Sequence, residues 1–156
     1  MTTPFQILTF NNVTSTNDVA FELAAEGKAF NHFIITANSQ TKGRGRLDRE
    51  WASLEGNVFF SLLLQFEEVP RVTDYTFLTA CVMGEVLKFY GVDVEYKWPN
   101  DVMLGGKKLA GVLLQFQTMN NVGNLVIGVG LNLVSCPDYA ACLAGLDISQ
   151  EQFLEK

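Results

Sequence analysis

Two adjacent glycines, Gly105 and Gly106, separate the apolar runs Val102-Met103-Leu104 and Leu109 to Thr118. Glycine reaches positive φ without a Cβ clash, so this pair predicts a tight β-hairpin. A hairpin fixes antiparallel pairing, and this half of the chain must therefore enter a sheet of opposed neighbours. Asn120 to Asn124 predicts a second turn, followed by a strand over Leu125 to Val129. Phe5 to Phe10, Phe33 to Thr36, Asn57 to Phe66 and Val94 to Trp98 have the length and residue types of further strands. Ser15-Thr16-Asn17-Asp18 supplies N-cap side chains for a helix that stops at Gly27. Asp74 to Tyr90 has helical length, with Gly91 as its stop. A short helix is expected over Asp138 to Leu143, and the capping box from Ser149 to Gln152 opens another. Together these elements predict an α+β fold, with a mixed, mostly antiparallel sheet and helices on one face.

The chain has 156 residues, 48% hydrophobic and 18% charged, which suits one folded domain over residues 1–156. No apolar run is long enough to span a bilayer, and the opening M-T-T-P-F-Q lacks a leader pattern, so no membrane partner and a cytoplasmic location are expected. Cys81, Cys136 and Cys142 show no C-x-x-C spacing and read as small core residues. His32 is the sole histidine, which leaves little material for a zinc site or a Ser-His-Asp triad.

Function concentrates in Gln40 to Trp51, which reads Q-T-K-G-R-G-R-L-D-R-E-W. Gly43 and Gly45 leave room for a ligand against the backbone, while Arg44, Arg46 and Arg49 bring forked cationic donors that match carboxylate or phosphate. The enclosing loop, Asn38 to Gly56, is long for a compact domain and suits a segment that closes over a small anion. The net charge of −6 argues against a nucleic-acid surface, because such proteins spread basic charge over a face. Lys97-Trp98-Pro99-Asn100-Asp101 places a cation, an amide and a carboxylate at a strand end. Lys108 follows across the glycine hairpin and could return toward Asp101, though spacing alone favours an exposed Lys-Lys turn beside a capping Asp. Gly128-Val129-Gly130-Leu131-Asn132 lacks the third glycine of a dinucleotide fingerprint, and no Walker A pattern is present.

Ser15-Thr16-Asn17, Gln40, G-R-G-R at 43–46, Arg49, Trp51, Gly56-Asn57, K-W-P-N-D at 97–101, K-L-A-G at 108–111 and G-V-G-L-N at 128–132 form an ordered set over almost the whole chain. In order and spacing this set resembles the biotin protein ligase (biotin–[acetyl-CoA-carboxylase] ligase) catalytic domain, a class II synthetase-like fold. The resemblance implies an ATP-dependent ligase that makes biotinyl-5′-AMP and passes biotin to a lysine of a biotin carboxyl carrier protein. It implies biotin, ATP and Mg2+ as ligands and no nucleic acid, and the sheet edges of such a fold suit a homodimer.

By that resemblance, Ser15, Thr16, Asn17 and Gln40 hold the ureido head of biotin. Arg44, Gly45 and Arg46 close over it, with Lys108 and Gly111 completing the biotin set. Gly43, Arg46, Arg49, Trp51, Lys97, Asn100, Lys108 and Asn132 serve the ATP or adenylate side. Lys108, Arg46 and Asp101 form the catalytic group, and Asp101 is the candidate to meet the metal of Mg-ATP. Val112 and Leu113 are expected along the biotin tail. Asn38 and Gln115 stand where the family commonly has an acidic residue, though neither is among these ligand positions. The resemblance further implies a C-terminally short form, without the N-terminal DNA-binding domain of repressor members or the C-terminal β-barrel domain. Two alternatives stay open: a biotin or biotinyl-AMP binding module without full transfer, and a lipoate ligase or octanoyltransferase relative.

Overall fold

The computed structural model describes residues 5–156. Residues 1–4, within the opening M-T-T-P-F-Q noted above, lie outside the described residues. The chain runs β1 (Gln6–Val13), α1 (Thr16–Ala25), β2 (Phe33–Gln40), β3 (Val58–Phe66), α2 (Val72–Phe89), β4 (Glu95–Lys97), β5 (Asp101–Leu104), β6 (Lys107–Met119), β7 (Val122–Leu131) and α3 (Gln150–Leu154). The strands form one seven-stranded sheet in the order β1-β2-β3-β7-β6-β5-β4. Only β1 and β2 are parallel, joined through α1, and every other pair is antiparallel.

Local chemistry explains the boundaries. Ser15 caps α1, its hydroxyl accepting from the Asn17 amide at 3.2 Å, and Gly27 leaves the helix at φ 67°. Gly105 and Gly106 turn the β5–β6 hairpin at φ 56° and 74°. The next turn is tighter than expected. Asn120 and Asn121 both take the left-handed conformation, at φ 52° and 63°, so β7 begins at Val122 and not Leu125. Asparagine tolerates this region because its short amide bonds locally. Ser149 and Gln152 make the reciprocal bonds of the expected capping box at α3.

The mixed, mostly antiparallel sheet agrees with expectation, but the helices do not share one face. Leu125, Ile127 and Val129 of β7 pack with Ala80, Met83 and Leu87 of α2 and with Phe153 of α3. Val126, one residue out of phase, packs with Leu63, Ile35 and the α1 residues Ala20 and Phe21. Successive strand residues point to opposite faces, so α1 covers one side and α2 the other. The signal lay in β7 itself, buried without a break from Gly123 to Val129, a run that needs a layer on each side.

The helix expected over Asp138 to Leu143 is absent. Its backbone pairs outward instead: Ala141 N donates to Lys108 O at 2.9 Å and Leu143 N to Asn132 O at 3.2 Å. Asn57, fully buried, holds the preceding stretch by donating to Ser135 O at 2.7 Å and accepting from Val134 N and Ser135 N. Such a buried amide, bonded on both ends, fixes a segment that has no secondary structure of its own. The segment after β7 is thereby pinned beside the β5–β6 end of the sheet.

Candidate active site

Three glycines floor the site on the α1 side of the sheet. Gly111 and Gly130 are cross-strand partners, and Gly128 pairs with Ser61 on one side and Leu113 on the other. A Cβ on Gly130 would lie 2.5 Å from Trp51 Cε2, and one on Gly111 would lie 2.9 Å from Lys108 Cε. A Cβ on Gly128 would collide with Asn17 Oδ1. The glycines in G-V-G-L-N and K-L-A-G thus make room for Asn17, Trp51 and Lys108 to lie on the sheet. Leu113 shares this face. Val112 turns its side chain into the α2 core, where it is 1% exposed, yet the residue also borders the narrow cleft between Gly111 and Leu113.

At one end of the floor stands a polar network. Gln40 Oε1 accepts from Thr16 N at 2.9 Å and lies 3.3 Å from Thr16 Oγ1, and Gln40 Nε2 donates to Ser53 Oγ. Asn17 Nδ2 donates to Gln115 Oε1 at 2.8 Å. Ser61 Oγ, fully buried on β3, lies 2.6 Å from Asn17 Oδ1 and 2.7 Å from Thr16 Oγ1. One hydroxyl carries one proton. The amide oxygen has none, so it takes Ser61's, and the Thr16 hydroxyl supplies the other contact. Ser61 and Gln115 therefore set the orientation of residues the sequence had singled out. The available signal for Ser61 was a lone hydroxyl within the apolar run Val58 to Leu64.

The glycine–arginine loop is organised without any ligand. Gly45 N donates to Arg49 O at 2.7 Å and Trp51 N to Gly43 O at 2.9 Å, which makes a small hairpin over a tight turn at Arg46–Asp48 with Leu47 and Asp48 left-handed. Gly43 lies beneath this hairpin, packed against Ser53, Trp51 and Gln40. Arg44 reaches α1 and grips Asp18 with two bonds, at 2.5 Å and 2.9 Å. The hydrogen bond to Asp18 raises the Arg44 guanidinium further above its usual range. Asp18 was missed as a site residue because nothing in its local sequence points across to the loop. Arg46 Nη1 donates to Asn100 Oδ1 at 3.3 Å.

Lys108 and Asp101 face each other across the β5–β6 hairpin, with Nζ 2.7 Å from Oδ1. That contact is an ion pair without hydrogen-bond alignment, since the buried Asp101 Oδ1 lacks an aligned donor. Lys108 Nζ also sits 5.3 Å from the centroid of a Trp51 ring. Asn100 is locked to β6, donating to Val112 O at 3.0 Å. Asn132 uses its amide nitrogen on Ala141 O at 3.0 Å. The buried Trp51 Nε1 has no hydrogen-bond partner among the described residues.

These groups enclose two adjoining spaces. A narrow cleft is lined by Ser15, Thr16, Asn17, Gln40, Arg44, Gly45, Gly111 and Leu113. A wider pocket is lined by Arg46, Arg49, Lys97, Asp101 and Asn132. Gly45, Trp51, Asn100 and Lys108 border both. Arg46 lies outside the narrow cleft's lining and on the wall of the wider space. Among the described residues no group of three or more His, Cys, Asp and Glu side chains is placed to hold a metal ion.

Residues 9–132 match the biotin/lipoate A/B protein ligase family. The chain belongs to that family. Its similarity runs to the biotin protein ligase catalytic domains within the biotin/lipoate A/B protein ligases. It is 36% identical over 139 residues to the bifunctional ligase/repressor BirA of Bacillus subtilis (strain 168), covering 85% of this chain and 42% of that protein. Against the biotin–[acetyl-CoA-carboxylase] ligase of Paracoccus denitrificans it is 33% identical over 138 residues, covering 84% of this chain and 56% of the relative. The solved biotin protein ligase from Aquifex aeolicus in complex with biotin and ATP superposes with a TM-score of 0.81 at 29% identity, over 96% of this chain and 66% of that one. The chain thus spans about half the length of these curated relatives. Among its described residues no helix is long and apolar enough to cross a membrane.

Proposed function

We propose that this chain is a biotin–[biotin carboxyl-carrier protein] ligase: it activates biotin with Mg-ATP as biotinyl-5′-AMP and transfers it to a lysine of a biotin carboxyl carrier protein. The observation that carries this reading is the place of Lys108, on the border between the narrow cleft and the wider pocket. Activation joins two anions, a carboxylate and an α-phosphate, and needs a fixed positive charge where they meet. An ammonium already held 2.7 Å from Asp101 is positioned before any substrate arrives.

The narrow cleft suits the acid. Ser15, Thr16, Asn17 and Gln40 offer donors and acceptors to a ureido head, and Leu113 and the glycine floor offer an apolar slot for its tail. The wider pocket, with Arg46, Arg49, Lys97, Asn100 and Asn132 on its walls, suits the nucleotide. Magnesium enters as part of the substrate Mg-ATP, with Asp101 the carboxylate at hand near Lys108. The glycine–arginine loop lies over both spaces and keeps water from a reactive mixed anhydride. The reading implies work where ATP is supplied, in the cytoplasm, and a homodimer through the β1 or β4 edge is part of it.

Single-turnover pyrophosphate release with biotin and Mg-ATP tests the first step, and label transfer to an isolated carrier domain tests the second. Biotin-dependent release is expected, with none from lipoate or octanoate. Release with lipoate would overturn the reading in favour of a lipoate ligase. Binding of biotin and ATP without release would leave a binding module.

A further inference from the structure

The three most exposed large apolar side chains among the described residues are Leu47 at 83%, Trp98 at 80% and Tyr139 at 77%. They come from three separate segments: the tip of the glycine–arginine loop, the strand end before Asn100, and the pinned stretch after β7. All three nevertheless line the same wide pocket. Leu47 is also held at φ 56°, ψ 40°, a left-handed conformation that an apolar L-residue rarely takes. Strain of this kind persists where the surroundings enforce it, and it concentrates at functional positions.

The charge around these side chains is equally local. Arg46, Arg49 and Lys97 lie on the same pocket wall, and of its two carboxylates, Glu50 and Asp101, the second is paired by Lys108. The mouth is therefore positive on a chain whose net charge is −6. Small ligands are enclosed by the walls of their pockets, so side chains left about four-fifths open stand outside the part a nucleotide fills. Exposed aromatic side chains with arginines between them have the composition of a protein-binding hot spot.

We propose that Leu47, Trp98 and Tyr139, with Arg46, Arg49 and Lys97 among them, form the docking surface for an acidic acceptor protein whose target lysine enters the wide pocket toward Lys108. The inference rests on the ligase reading and adds to it the surface and charge type of the partner. In the transfer step the acceptor's neutral amine attacks the acyl carbon of the adenylate. The C–N bond forms, the bond from acyl carbon to phosphate oxygen breaks, AMP leaves with the electron pair, and the amine gives its proton to solvent. A bulky acceptor can reach that carbon only through the open mouth, and an acidic rim around its lysine meets the three cations there.

The test supplies biotinyl-5′-AMP ready-made to the full chain and follows biotin transfer to two acceptors, an isolated carrier domain and hydroxylamine. The variants are Trp98→Ser and the triple Leu47→Ser, Trp98→Ser, Tyr139→Ser, all at side chains outside the core. KM for the carrier domain is expected to rise about tenfold or more, while transfer to hydroxylamine stays within about twofold of wild type. An unchanged carrier KM would overturn the proposal. So would an equal loss with both acceptors, because the side chains would then hold the adenylate itself. Since the adenylate is provided, a chain that fails to activate biotin would refute the ligase reading separately and still show whether the mouth recognises the carrier.

Discussion

Ser61 and Lys108 lie at opposite ends of one site, and under the ligase reading their substitutions are expected to separate binding from chemistry. Ser61 donates to Asn17 Oδ1, a buried amide whose nitrogen is already committed to Gln115. Ser61→Ala leaves that oxygen unpaired in the core, a loss of about 1–3 kcal/mol. Biotin affinity is expected to fall about tenfold by titration calorimetry, with the rate of adenylate formation at saturating biotin little changed. An unaltered affinity would remove Ser61 from the recognition network. In the proposed activation step Lys108 bears on charge that peaks as carboxylate and phosphate approach. Lys108→Ala is expected to slow single-turnover pyrophosphate release about a hundredfold or more, with a smaller effect on biotin affinity. Lys108→Arg rescues poorly, because a planar fork does not replace a compact ammonium between Asp101 and the Trp51 ring. A Lys108→Ala rate within about threefold of wild type shifts the role to Arg44 and Lys97.

At the scale of elements, the Asp18–Arg44 pair ties α1 to the glycine–arginine loop. The loop's length, glycines and arginines suggested a segment that closes over a small anion. In the structure Asp18 already occupies Arg44, and backbone bonds between Gly43 and Trp51 and between Gly45 and Arg49 shape the rest. Closure therefore begins before ligand binds. Asp18→Asn removes the charge while keeping the side chain's size. Trypsin is then expected to cut after Arg44, Arg46 and Arg49 several-fold faster in the free protein, roughly as the open population grows. Added biotinyl-5′-AMP restores protection by giving Arg44 another anion. Equal cleavage of both proteins would mean that the backbone bonds alone hold the loop. Both side chains of the pair are about one-third exposed. Its contribution is thus screened by water and acts on loop position more than on global stability. Arg44, raised beyond the usual arginine range, keeps its charge at any working pH, so the latch does not open through its titration.

On the scale of the whole molecule, an acidic chain gathers its cations at one mouth. The net charge is −6, yet Arg46, Arg49, Lys97 and Lys108 line a single pocket. Attraction for an anionic nucleotide is then local and open to screening by salt. Under the ligase reading, ATP affinity is expected to weaken several-fold between about 0.05 M and 0.5 M salt, while the affinity for biotin, whose ureido head that reading sets among the neutral Ser15, Thr16, Asn17 and Gln40, weakens less. Equal salt dependence for both ligands would contradict that division of the site.

Turns, caps and motifs were legible in the sequence because their causes are local. Two glycines dictate the β5–β6 hairpin, Ser15 and Ser149 dictate helix starts, and the loop, K-W-P-N-D and K-L-A-G segments mark where polar groups collect. The expected helix at Asp138 to Leu143 failed because its backbone groups found partners on Lys108 and Asn132, which lie far away along the chain. The two-sided placement of the helices depended on which strand residues face α1 and which face α2. That is settled only when β3, β6 and β7 lie in register. Ser61, Asp18 and Gln115 likewise became site residues through contacts that span 26 to 98 positions. The sequence alone determined which residue types carry the chemistry and where the chain turns, since both follow from side chains and their near neighbours. Tertiary structure decided which of them meet, because strand register and packing bring distant positions within bonding distance and leave other pairs apart.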